Sequence, residues 1–229
     1  MKIISVDADA KTKKSNKLGE FLTGIIYLAP HKISGKNLCA YASPSCIKSC
    51  LYTSGHGAFS NVQQARINKT LFFLNDRDGF LEQLHKEINS LKKKANKLGV
   101  KLAIRLNGTS DIPWEHFNVI QQHPDVQFYD YTKNYRRIHK FLDGDLPENY
   151  FLIFSRSETT PEKTINGIVK NNGNVAVVFR NQLPDTYLGF PVINGDLHDL
   201  RFQDQSGVIV GLVAKGQAKK ETDGFVVNN

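Results

Sequence analysis

Short runs of β-branched and aromatic residues alternate along most of the chain with segments whose apolar residues recur at three- and four-residue steps. That alternation predicts successive βα units and a mostly parallel sheet. Strands are expected at Phe21 to Leu28, Lys101 to Leu106, Val126 to Tyr131, Tyr150 to Phe154, Asn174 to Phe179, Phe190 to Ile193 and Val208 to Val213. Helices are expected at Asn61 to Leu74, Phe80 to Leu98, Trp114 to Gln122, around Tyr135 to Leu142, and beyond Pro161 through Val169. In the longest, Leu81, Leu84, Ile88, Leu91, Ala95 and Leu98 form one apolar stripe, with Asp78 placed to cap its start and Gly99 to end it. Thr159 and Glu162 have capping-box spacing before the last helix.

No break interrupts this rhythm, so the chain reads as one α/β domain over residues 1–229, with a long loop at about 31–59. About seven strands, the later ones separated by little helix, suggest a partial (β/α) barrel rather than an open doubly wound sheet. The lysine-rich stretch Lys11 to Lys17 is expected to be mobile and residues 217–229 to form a loose tail. Neither a G-x-G-x-x-G after the first strand nor a G-x-x-x-x-G-K-[ST] occurs, so dinucleotide and P-loop sites have no support.

Composition is that of a globular protein, 40% hydrophobic and 23% charged. The longest apolar runs fall short of the roughly 20 residues that span a bilayer, so no membrane partner is expected. Met1 to Ala10 lacks a basic then apolar export signal, which makes the cytoplasm the expected location. The formal charge of +8 favours anionic partners without naming one.

The three cysteines, Cys39, Cys46 and Cys50, all fall in the long loop, separated by six and then three residues. Thiolates grouped this closely suit zinc or an iron–sulfur cluster. Zinc calls for a fourth ligand, for which His31 and His56 are candidates. An iron–sulfur cube on three cysteines leaves one iron open to a ligand. A disulfide in a reducing compartment leaves one thiol over.

In parallel βα folds the strand carboxyl ends form the site. Polar residues follow nearly every predicted strand there: Asn107, Thr109 and Asp111, then Lys133, Arg156 and Arg180. Capping explains single Ser, Thr or Asp residues at such places, whereas cations at strand ends suit a carboxylate or phosphate. These six are therefore the candidate cofactor-binding residues, for a small anionic or amino-acid-like ligand. No catalytic residue is assigned. His198, near Asp196 and Asp199, offers a ligand or general base but reads first as a surface-turn residue.

From Leu28-Ala29-Pro30, through the three cysteines with Tyr52 and Arg66, to Asn107–Asp111 and Phe128–Lys133, the sequence resembles the phage gene product 88 family. That group in turn resembles the radical S-adenosylmethionine superfamily. The resemblance implies a partial barrel whose first loop binds a [4Fe-4S] cluster through Cys39, Cys46 and Cys50, in the host cytoplasm, with S-adenosylmethionine as one candidate cofactor. Radical or Lewis-acid and sulfur chemistry at the open iron would follow. The spacing departs from the C-x3-C-x2-C pattern of radical enzymes, and no Gly-Gly-Glu-like run follows the next strand, which bears on cofactor cleavage more than on cluster binding. A different class stays open: a zinc-stabilised nucleic-acid-binding module that uses Lys11 to Lys17 against phosphates and exposed aromatic rings against bases.

Overall fold

A computed structural model describes residues 1–7 and 10–228. In chain order the elements are β1 (Ile4–Val6), α1 (Ala10–Lys17), β2 (Phe21–Ile26), α2 (Pro44–Lys48), α3 (Ser60–Asn75), α4 (Arg77–Lys97), β3 (Lys101–Arg105), β4 (Gln127–Thr132), α5 (Tyr135–Leu142), β5 (Tyr150–Ser155), α6 (Glu162–Lys170), β6 (Val175–Phe179), β7 (Thr186–Tyr187), β8 (Phe190–Asn194), β9 (Ile209–Val213) and β10 (Val226–Val227). The main sheet order is β1-β2-β3-β4-β5-β6-β9-β8-β7, with β10 paired to β6. All pairings are parallel except β1 with β2 and β7 with β8. The protein is thus a mixed α/β fold around a mostly parallel sheet. That sheet is unclosed, with β1 and β7 as its edges, and no barrel forms among the described residues.

Period-two alternation along the strands gives the sheet two unlike faces. On one, Leu102, Ile104, Phe128, Leu152, Val175 and Val177 meet the apolar stripes of α4, α5 and α6 in the main core. Within α4 the stripe is buried at Leu84, Ile88 and Ala95, but Leu98 is exposed. Asp76 rather than Asp78 caps this helix, accepting a bond from the Gly79 amide at 3.0 Å. Gly99 ends it as expected, in the left-handed region at φ 67°. Pro161 stands at the start of α6, and Thr159 makes no cap there.

The other face carries Ala103, Tyr129, Ile153, Ala176 and Val210. Leu200 and Phe202 cover part of it, with the Phe202 ring 5.0 Å from Phe21 and 5.5 Å from Tyr129. Between them Arg201 is fully buried, 3.2 Å from Asp204. Asp199 accepts from the Tyr129 hydroxyl at 3.0 Å and pairs with Arg105 at 3.3 Å. His198 is half-buried in this segment, its carbonyl accepting from Arg201 at 2.6 Å.

Three further sequence expectations fail for physical reasons. The lysine-rich stretch is not mobile: it is α1, with Thr12 and Ser15 buried. A helix this short is unstable alone, and tertiary ties hold it. Lys11 bonds the Gly195 carbonyl at 2.9 Å and pairs with Asp196 at 3.1 Å, while Ser15 accepts from the Asp199 amide at 2.9 Å. The helix expected at Trp114 to Gln122 is only a 3-10 turn, Trp114–Phe117, because Asn118 enters the left-handed region at φ 56°. Its apolar residues Trp114, Val119 and Ile120 are buried all the same. The tail is also held. A 3-10 turn spans Gly216–Lys220, and β10 pairs with Val178 and Phe179 of β6, which β5 leaves free by pairing only at Val175 and Ala176.

Candidate functional site

The cysteine loop follows β2 and lies against the segments that succeed β3, β4 and β5. Inside it Ser43 caps α2 by accepting from the Cys46 amide at 3.3 Å, and Pro44 occupies the first helical turn. Two 3-10 turns, Leu51–Thr53 and Gly55–Ala58, then lead into α3. Leu38 and Tyr52 point inward and anchor the loop.

Each thiol meets a different part of the rim. Cys39 lies 3.4 Å from the His31 amide and 3.5 Å from the Thr109 carbonyl, beyond β3. Cys46 shares its surroundings with Lys133, beyond β4, and with Glu158, beyond β5. Cys50 faces the positive field of Arg66, which α3 lays over the Tyr27 ring at 4.5 Å and the Tyr52 ring at 5.6 Å. All three are half-buried free thiols. Burial pushes Cys39 up to about 12, and the proximity of Cys50 and Cys46 adds to the rise. Burial also raises Cys46, against the pull of Lys133, and Cys50, against the pull of Arg66.

Glu158 fixes the loop to the sheet. Its carboxylate accepts from the Ser43 hydroxyl at 2.5 Å and from the Ser45 amide at 3.0 Å. Burial works against its ionisation, but these bonds outweigh burial and hold it below the usual glutamate range. Ser45 also reaches Asp223 at 3.3 Å, and Lys48 pairs with Asp223 at 3.2 Å.

The six candidate ligand-binding residues all lie beyond the strand ends, yet each is engaged within the fold. Asn107 is buried; its side-chain oxygen accepts from Ser110, the Ile112 amide and Trp114, and its side-chain nitrogen donates to Ile112 and Asp130. Thr109 donates to the Leu28 carbonyl at 2.6 Å. Asp111 accepts from Thr132, the Lys133 amide and Arg137. Lys133 donates to Ser155 and to the Arg156 carbonyl, and burial lowers its pKa. Arg156 bonds the Gly224 and Phe225 carbonyls at 2.8 and 3.1 Å, while Arg180 bonds Asn228 and the carbonyls of Lys219 and Glu221. The two arginines therefore fasten the tail. His31 offers Cys39 its backbone, and His56 is exposed, stacked on Phe59 at 5.8 Å.

Sequence reasoning passed over the network beneath this rim. Arg137 joins Glu115 at 2.8 Å, Asp111 at 2.7 Å and the Tyr150 hydroxyl at 2.7 Å, and that hydroxyl donates to Asp130 at 2.7 Å. Burial pushes Asp130 up to about 7, against Arg137 and the bonds from Tyr150 and Asn107. A charged Asp inside an otherwise apolar strand, Phe128-Tyr129-Asp130-Tyr131, was the available signal.

Among the described residues no three His, Cys, Asp or Glu side chains are grouped to hold a single ion. A tetrahedral zinc with Zn–S near 2.3 Å would draw its sulfurs to about 4 Å of one another. An iron–sulfur cube attaches each thiolate to its own iron, so its ligands surround the cluster and need not converge on one point. The all-thiol donor set is of the kind such clusters take.

An α/β protein with three free thiols over the carboxyl edge of a parallel sheet is the class that fold and site define. Its family follows from a further finding: the gene product 88 family model matches residues 3–229, and the chain belongs to that phage gene product family. No curated protein and no solved structure matches it. No helix among the described residues is long and apolar enough to cross a membrane.

Proposed function

We propose that this is an iron–sulfur protein in which Cys39, Cys46 and Cys50 hold one [4Fe-4S] cluster at the carboxyl edge of the sheet. The observation that carries the reading is three half-buried free thiols on one loop over the carboxyl edge of the sheet, with Cys39 and Cys46 each anchored separately. Bound, the cluster would supply electron-transfer or Lewis-acid chemistry at an iron without a cysteine.

The chain's own contribution is support. Glu158 and the Ser43 cap set the approach of Cys46. Lys133 and Arg66 bring positive charge to the thiolates, which favours the deprotonated form that binds metal. S-adenosylmethionine is left out of this proposal, because Asn107, Thr109 and Asp111 already bond within the fold. Anaerobic purification with iron, sulfide and zinc measured per chain, alongside visible and electron paramagnetic resonance spectra, tests it. Cubane iron and sulfide near stoichiometry, lost in Cys46→Ala, is expected; a protein that stays colourless after iron and sulfide reconstitution overturns the reading.

A further inference from the structure

Between Glu20 and Asp76 the sequence contains no acidic residue, although it holds Lys32, Lys36, Lys48, Arg66 and Lys69. The cysteine loop lies wholly inside this stretch. It also turns much of its apolar surface outward: Ile33, Tyr41, Ile47, Leu51 and Phe59 are 46%, 50%, 37%, 56% and 58% exposed. A loop that merely closed over the sheet would bury such residues, as it does Leu38 and Tyr52.

The chemistry of this surface is aromatic and cationic together. Phe59 and His56 stack with ring planes 26° apart, and Tyr41 stands exposed nearer the start of the loop. Lys32 and Lys36 are exposed and enter no ion pair among the described residues, whereas Lys48 is matched by Asp223. The Leu51–Thr53 turn packs on the Gly216–Lys220 turn, which adds exposed Lys219 and Lys220 to the same neighbourhood. We infer that the outer surface of the cysteine loop binds single-stranded nucleic acid, with Tyr41 and the His56–Phe59 pair stacking on bases and Lys32, Lys36, Lys219 and Lys220 meeting phosphates.

Open rings beside unpaired lysines are what a flexible polyanion with π faces requires. A membrane surface is a poorer occupant, because the loop's one α-helix, α2, has five residues and offers no extended amphipathic face to lie in the interface. An acidic protein would meet the lysines but would need a matching pocket for each exposed ring, whereas every base offers a π face. The inference draws on solvent-exposed rings and lysines and not on the thiols, so its test is separate from that of the cluster.

The test is fluorescence anisotropy of a labelled single-stranded oligonucleotide with the full chain over a salt series. Four phosphate contacts predict a slope of log affinity against log salt of about −3, and Lys32→Gln with Lys36→Gln should flatten it by about 1.4. Tyr41→Ala and Phe59→Ala should each weaken binding by roughly 5- to 100-fold, with thermal melts showing the fold retained. Lys13→Gln with Lys17→Gln, exposed on α1, should change little. Absent binding at low salt, unchanged affinity in the loop variants, or a preference for phosphatidylserine vesicles or polyglutamate over the oligonucleotide overturns the inference.

Discussion

His123 sits 4% exposed under α4, its Nε2 2.8 Å from Nδ1 of His85. Burial, then the nearness of His85 and Lys92, lowers its pKa from 6.5 to about 4. The folded protein therefore binds fewer protons than the unfolded chain between those values. Stability from this site is complete above pH 6.5 and is lost as pH falls toward 4. A fall of that size corresponds to about 3 kcal/mol. Other groups act in the same window, and two oppose it: burial raises Asp130 to about 7 and Asp204 to about 6, so their contribution is lost as pH rises. The total profile thus mixes signs, and the informative quantity is the difference between wild type and His123→Gln. Urea unfolding at about pH 7.5, 6.5, 5.5 and 4.5 should show that difference shrinking by about 2–3 kcal/mol toward the acid end. A constant difference across the series would refute the reasoning, because His123 would then titrate alike in both states.

Asp130→Asn should act with the opposite sign, removing a loss of stability that develops between about pH 4 and 7, and the same unfolding series reads it. Glu158→Ala, which strips Ser43 and Ser45 of their acceptor, should cost about 1–3 kcal/mol and speed amide hydrogen exchange across residues 43–50 more than in the strands. Trp114 is fully buried, with ring centroids 5.4 Å from Phe73 and 5.8 Å from Phe117, so Trp114→Ala should lower unfolding free energy by about 3–5 kcal/mol.

What sequence reasoning reached depended on how local the cause was. Helix α5 matches its expected limits, and α4 carries its expected core positions, because side-chain periodicity alone decides them. Trp114 to Gln122 has similar periodicity but turns at Asn118, a backbone choice that apolar spacing does not encode. Strands β1 and β10 have three and two residues, too short for a pattern to register. The cysteines stood out by spacing, and their neighbours at the strand ends by topology. What those neighbours do was hidden, since Arg156 finds its acceptors 68 and 69 residues away and Glu158 meets Ser43 across 115.

The ties around Cys46 also set an order in time. Ser43 needs Glu158, and Ser45 meets Asp223 across 178 residues, so the loop's anchors are translated long after its thiols. During synthesis the cysteines emerge from the ribosome first and wait without their supports. A cluster of the proposed kind would meet an unrestrained loop on the nascent chain and a pre-shaped one after release. The full set of supports around Cys46 therefore exists only once residue 223 has emerged.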